Sequence, residues 1–348
     1  MKPVALLGPQ RLQPTVGHAA RRLGLRGPCA IITAGWQERE DEDDELKAAL
    51  GLPGTNLRLY ARWERLRMED PVLARTHRDR QDRLRRLQSL YRERLGGLMT
   101  TARKLHEMDG PPDLLEPERR SAIGAVRALD EHHLQRVVET NMGFEDEAHP
   151  GARAAVAGQR AELARILADC EAVVIAGGHV AVLLNRLRLF RLDTLLRDKA
   201  LIAWSAGAMA LADRVVLFHD SPPQGAGWAE LLDFGLGLAP DVVVLPHARR
   251  RLRLDDPIRV RLLSRRFRPA ACVPLDEGDH IDRVAGAWRF GALLGTDGGM
   301  RRAEHVAPLP TDVPLPGLPV AALTGGPIPV HTDAPAPVAP TPSGDEAP

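Results

Sequence analysis

Ala200-Leu201-Ile202-Ala203-Trp204-Ser205-Ala206-Gly207-Ala208-Met209 is a short apolar run that meets a serine among small residues, with a helix-forming stretch reaching Ala212 behind it. A strand-to-helix corner of this kind forces the serine into a tight turn and exposes its hydroxyl at the C-terminal edge of a sheet. The next backbone N–H groups then sit at a helix N-terminus, where they can stabilise an oxyanion. The stretch predicts a parallel α/β sheet and marks Ser205 as a candidate nucleophile. The plain alternative is a serine that only packs or caps at a strand–helix junction.

Moving outward, Ala172-Val173-Val174-Ile175-Ala176 reads as another buried strand, ended by Gly177-Gly178 and preceded by a helix over Arg160–Cys170. Val4–Leu7 and Ala30–Thr33 are short apolar strands with a helical segment, Val16–Leu23, between them. Strands apolar at every position belong to parallel sheets covered on both faces. Leu57–Tyr60 is a further strand candidate, and Asp241–Leu245, Ala271–Leu275 and Trp288–Leu294 are expected to complete the sheet. Between about residues 70 and 150 the texture changes. Leu73, Leu84, Leu87, Leu90, Tyr91, Leu95 and Leu98 recur at helical spacing among charges, Gly110-Pro111-Pro112 breaks the run, and Ala122–Val138 resumes it. This predicts a helical insertion in one α/β domain spanning residues 1–323. The Pro/Ala-rich stretch 324–348 lacks periodicity and reads as a disordered tail.

Composition removes several function classes. The 348 residues carry 47 Lys and Arg against 46 Asp and Glu, a formal charge of +1, so no global field draws the chain to nucleic acid or anionic lipid. Aromatic residues make up 4%, which leaves few stacking platforms for unpaired bases. Cys29, Cys170 and Cys272 are odd in number and widely spaced, as expected of reduced, buried thiols in a cytoplasmic protein. The four apolar residues between Pro3 and Gly8 are too few for a signal-peptide core. No apolar run approaches the ~18 residues of a membrane span. A soluble cytoplasmic protein is the expectation.

A serine hydroxyl needs a base, and His247, just beyond the strand Asp241–Leu245, falls on the functional edge of the sheet. The alternative is one more surface-loop histidine. Two carboxylates are candidates for orienting the base: Glu277, after the strand Ala271–Leu275, and Asp220 in Phe218-His219-Asp220-Ser221. Either could be a simple turn residue. The paired glycines let a backbone N–H approach a substrate oxygen, although an ordinary β–α turn uses the same residues. The arginines from Arg249 to Arg268 read mostly as a solvated helix face. One or two of them beside the base could clamp a substrate carboxylate. His132, His133 and Glu139 read as a surface helix rather than a metal site, and the acidic run Glu38–Glu45 as a solvated helix start.

Together, Ala176-Gly177-Gly178, Trp204-Ser205-Ala206-Gly207-Ala208, Gly235-Leu236-Gly237-Leu238 and His247 with its downstream arginines resemble the peptidase S51 family, which includes dipeptidase E and cyanophycinase. Leu275-Asp276-Glu277-Gly278 resembles the cyanophycinase branch. The resemblance spans about Cys170 to Gly295 well and Val4–Gly35 loosely. It implies a flavodoxin-like three-layer α/β sandwich with a mostly parallel sheet, of the class I glutamine amidotransferase-like kind, here with a helical insertion. It further implies a serine-type hydrolase without metal or organic cofactor: Ser205 as nucleophile, His247 as base, Gly178 and Ala206 as oxyanion donors. Glu277 matches the acid of the cyanophycinase-like branch and Asp220 roughly that of the dipeptidase-like branch, and the choice stays open. Gly177, His179, Arg251 and Arg253 would line the substrate, an amide or small peptide that is acidic or isopeptide-linked. His179 stands where the family carries Asn, Asp or Gln, and Ala203 where it carries glycine. Serine at the corner, where amidotransferases use cysteine, argues against glutaminase chemistry.

No nucleic-acid or membrane partner is expected, and a homodimer is compatible with the sequence. The rival reading is a catalytically inactive binding or regulatory module of the same fold that presents the helical insertion to a partner. A nucleic-acid-associated protein using Arg249–Arg268 is a weaker rival.

Overall fold

The computed structural model describes residues 2–218 and 227–302. The chain opens with β1 (Val4–Leu7), α1 (Val16–Arg22) and β2 (Cys29–Ile32), followed by a 3-10 helix (Ala34–Arg39), α2 (Asp44–Leu50) and β3 (Gly54–Asn56). Four helices come next: α3 (Leu59–Glu69), α4 (Pro71–Glu107), α5 (Pro112–Ala148) and α6 (Ala154–Ala168). The β–α alternation then resumes with β4 (Ala172–Ile175), α7 (Val180–Leu189), α8 (Leu192–Leu195), β5 (Ala200–Trp204) and α9 (Ala206–Leu211). β6 (Arg214–Leu217), β7 (Glu230–Phe234), β8 (Val242–Pro246), α10 (Ala248–Arg251), α11 (Pro257–Phe267) and β9 (Ala271–Leu275) follow. The described chain closes with β10 (His280–Val284), β11 (Ala287–Arg289), β12 (Ala292–Leu294) and β13 (Met300–Arg302).

The central sheet has seven strands in the order β11-β10-β1-β5-β4-β2-β3. From β1 to β3 all neighbours are parallel, while β10 and β11 add antiparallel strands at one edge. Alternate residues of each strand point to opposite faces. Ala5, Leu7, Ile31, Val174 and Ile202 pack under α1 and α2, whereas Leu6, Ile32, Val173, Ile175 and Leu201 pack under α3, α6, α7 and α9. Two cores separated by one sheet make a three-layer α/β sandwich.

Three expectations about strands are corrected. Trp288–Leu294 is not one strand: β11 lies at the edge of the central sheet beside β10, whereas β12 pairs with β13 outside it. β8 and β9 form a separate parallel pair instead of joining the central sheet. The edge of β1 is taken by β10. Leu57–Tyr60 is not a strand: the chain turns at Arg58, whose φ is 52°, and enters α3. That turn is built by side chains, since Asn56 Oδ1 accepts from Arg58 N at 3.0 Å. The Glu40 carboxylate accepts from Tyr60 N at 3.0 Å and Ala61 N at 2.9 Å, satisfying the first turn of α3. The acidic run is thus only partly solvated, because Glu40 and Asp43 are buried.

The amphipathic stretch becomes two 37-residue helices, α4 and α5, each about 55 Å long at the usual rise. Tyr91, Leu95, Met99 and Ala102 face Ile123, Val126, Leu129 and Leu134, and the same cluster takes in residues of β7, β8, β9 and α11. The apolar face of the pair is therefore covered by its own chain. Its large exposed apolar side chains, Val72, Leu90, Met108 and Leu114, are scattered rather than contiguous. A buried ion pair fastens this region. Arg266 on α11 gives Asp130 on α5 two hydrogen bonds of 2.7 Å, and also donates to Tyr91 Oη and the Ala229 carbonyl, each at 2.6 Å.

All three cysteines are free and buried. Burial pushes the Cys29 thiol up to about 11 and the Cys272 thiol up to about 12, which suppresses the reactive thiolate. Ellman's reagent is expected to find no fast-reacting thiol in the folded protein and three after denaturation. Rapid reaction of a folded-state thiol would contradict this packing.

Candidate active site

Ser205 occupies the corner between β5 and α9 with φ 48° and ψ −120°, a conformation normally left to glycine. Local packing explains how the strain is held. A Cβ on Gly177 would lie 2.9 Å from Ser205 Cβ, and one on Gly207 would lie 2.4 Å from the Ile175 carbonyl oxygen. Both glycines let β4, β5 and α9 approach closely enough to fix the corner. Gly178, with φ 108°, turns the chain away at the end of β4, and His179 N donates to the Gly35 carbonyl at 2.8 Å. The loop is held further by α7, whose Asn185 accepts from Arg80 and Gln81 of α4 at 3.0 and 3.1 Å. Arg188 of the same helix engages Asp233 of β7.

A cavity of about 1150 Å³ opens at the carboxyl ends of the parallel strands. The loops after β1, β2, β4, β5 and β8 all contribute to it, as open α/β sheets require of a ligand site. Gly177, Gly178, Ser205, Ala206, His247 and Arg251 line it together. The structure thus brings the candidate nucleophile, base and both oxyanion donors to one chamber, although β8 lies outside the central sheet. His247 is held by its own backbone: φ is 57°, its N–H donates to the Leu275 carbonyl at 2.9 Å, and Arg249 N donates to the Asp276 carboxylate at 3.1 Å. No hydrogen bond joins the imidazole to Ser205 or to Glu277 among the described residues.

The other candidates fall elsewhere. Glu277 is exposed and does not line the cavity, but its charge acts on His247. Arg253 is exposed and pairs with Asp255 at 3.1 Å. His179 caps α7, its Nδ1 accepting from Val182 N at 3.3 Å, and does not line the cavity. Asp220 and the stretch 324–348 lie outside the described residues. No group of acidic, histidine or cysteine side chains among the described residues could hold a metal ion. His133 instead stacks on Tyr91 at 4.1 Å, with Gln88 beside it at 3.1 Å. No helix among the described residues is long and apolar enough to cross a membrane.

Burial pushes the His247 pKa below its ordinary 6.5, the charges of Arg251 and Arg250 push the same way, and Glu277 opposes them. Burial, then Arg250, likewise lowers the pKa of Arg251. Several wall residues were not among the sequence's site candidates, including Glu42 and Glu45 of the acidic run read as solvated. Trp36 and Arg39 come from the 3-10 helix, Glu42 from the turn before α2, Glu45 and Leu46 from the start of α2, Arg92 from α4, Trp228 from the approach to β7 and Glu230 from its first position.

No family model matches the chain, and no curated protein does. Among solved structures, a peptidase from an acI-B1 Actinobacterium aligns over 88% of this chain and 97% of its own, at 12% identity and a TM-score of 0.44. A match at that level carries no argument about chemistry. The sheet order and the two cores on either side of it define the fold.

Proposed function

We propose that the cavity is the active site of a serine hydrolase of the S51 peptidase type, which cleaves an amide or peptide bond. One observation carries the reading: a serine held at φ 48° and ψ −120° at the end of β5 shares a single cavity with His247 and the Gly177–Gly178 loop. In this mechanism His247 takes the proton from Ser205 Oγ, which attacks the scissile carbonyl carbon. The N–H groups of Gly178 and Ala206 receive the oxyanion, and losing one such donor typically costs ~3–4 kcal/mol of barrier. His247 then protonates the leaving amine, and water releases the acyl group by the same steps in reverse. Glu277 supports the imidazolium electrostatically from the solvent side. Arg251 lines the cavity close to His247 and, among the described residues, has no carboxylate partner; this suits it to bind a substrate carboxylate.

The base works only as neutral imidazole, so a depressed pKa extends activity downward in pH. The rate of inactivation by a fluorophosphonate is expected to hold its plateau below pH 6.5 before falling. Arg251→Gln removes a positive neighbour and should move the inflection up, while Glu277→Gln should move it down. An inflection at or above the ordinary histidine value, or one indifferent to both substitutions, would count against His247 as the base.

A further inference from the structure

The cavity is larger than its chemistry needs. Small-molecule sites usually enclose roughly 300–1,000 Å³, and this one measures about 1150 Å³. Its walls are also unusually aromatic for this chain. The sequence has five tryptophans, six phenylalanines and two tyrosines, and Trp36, Trp204, Trp228 and Phe218 all face the cavity. They come from two separate cores. Trp36 and Trp204 belong with Leu46 to the cluster beneath α1 and α2, while Phe218 and Trp228 belong to the cluster shared with α4 and α5. Ser205 therefore lies in a chamber with an aromatic wall from each core. Trp36 and Trp228 are the partly exposed members; the Arg259 guanidinium lies over one face of Trp228, 4.7 Å from the ring centroid, and the remaining surface of the two rings is available to a ligand.

Part of the charged lining is neutralised from within, while Arg251 beside His247 keeps its charge for a substrate carboxylate. Glu42 accepts from Arg39 Nε at 2.7 Å. Glu230 receives Arg92 through Nε at 2.8 Å and Nη2 at 3.1 Å, with Gln88 adding a third bond at 2.9 Å. The bonds to Glu230 come from α4, so that long helix helps to build the cavity wall beside Trp228. An arginine–carboxylate fork that closes on itself leaves little charge for a ligand, whereas a partly exposed indole gains by being covered.

From this we infer that the substrate is an oligopeptide with a bulky apolar or aromatic side chain within a few residues of the cleaved bond, seated against Trp36 or Trp228, rather than a free dipeptide. The inference rests on the hydrolase reading for the bond that is cut, but its test does not depend on turnover. Three capped pentapeptides share a central Asp and otherwise carry only Ala, except that one has Phe two positions before the Asp and another has Phe two positions after it. Binding of each to the full-length Ser205→Ala protein is measured by calorimetry. At least one Phe peptide is expected to bind on the order of tenfold or more tighter than the Phe-free peptide. Trp36→Ala or Trp228→Ala, each made in that background, should abolish the difference. The inference is overturned if the three peptides bind within twofold of one another, if none binds at millimolar concentration, or if both tryptophan variants keep the preference. Fluorophosphonate labelling of the wild-type chain reports separately on the hydrolase reading, so a labelled enzyme without aromatic preference sinks only the substrate inference.

Discussion

Ser205→Ala is expected to lower amide hydrolysis by about four orders of magnitude or more, while leaving the thermal unfolding midpoint unchanged or raised. The two readouts move apart because the corner is a site of stored strain. With φ 48° and ψ −120°, any side chain at this position is held in a region that costs on the order of 1–3 kcal/mol. Glycine occupies that region without penalty, so Ser205→Gly should be both inactive and more stable, by roughly 1 kcal/mol after its extra unfolded-state entropy is counted. A strained serine kept at the cost of stability is what a functional corner predicts. A loss of stability in Ser205→Gly would instead show that the hydroxyl serves the fold. Paired melting curves and rate measurements on the three proteins decide the matter.

Asp130→Ala should be the most damaging single change away from the cavity. Arg266 is buried, with Asp130 as its carboxylate partner. Removing that partner leaves a guanidinium charge in a dry interior, typically at a cost of ~3–5 kcal/mol. For a chain of this size the melting temperature should fall by about 6–10 °C. Arg266→Met combined with Asp130→Leu should recover a good part of the loss, because replacing both charges removes the desolvation penalty as well as the attraction. If the double variant is less stable than Asp130→Ala alone, the hydrogen bonds to Tyr91 and the Ala229 carbonyl carry the stability instead. The consequence for function is directional. Arg266 anchors Ala229, which sits between Trp228 and Glu230 on the cavity wall, so the single variant should disturb peptide discrimination more than the reactivity of Ser205.

The legible parts of this fold share a physical cause. β1, β2, β4 and β5 are buried along their whole length, and burial on both faces writes itself into sequence as an unbroken apolar run. The serine corner is legible for the same local reason: a strand, one polar residue and a helix start stand side by side. Which strand pairs with which was not legible. β10 reads His280-Ile281-Asp282-Arg283-Val284, with only Ile281 and Asp282 buried, yet it takes the edge of β1 and leaves β8 and β9 to pair on their own. Its Asp282 is matched by Arg22 at 2.8 Å, a contact across 260 residues that no local pattern announces. Glu40 was hidden in a different way: a buried carboxylate reads as solvated until the N-terminus of α3 is brought over it. Within the site, Ser205, His247 and the glycine pair lie at strand ends and could be found from topology alone. Trp36, Arg92 and Trp228 come from a short helix, a long helix and a loop, and only tertiary packing places them on one wall.

The most direct measurement is to treat the wild-type chain and His247→Ala with a fluorophosphonate and locate the adduct by mass spectrometry of the digested protein. One adduct is expected, on the peptide that contains Ser205, with formation slowed by on the order of 100-fold or more in His247→Ala. An adduct on another residue, no adduct on the wild-type chain, or an unchanged rate in His247→Ala would contradict the pairing of this alcohol with this imidazole.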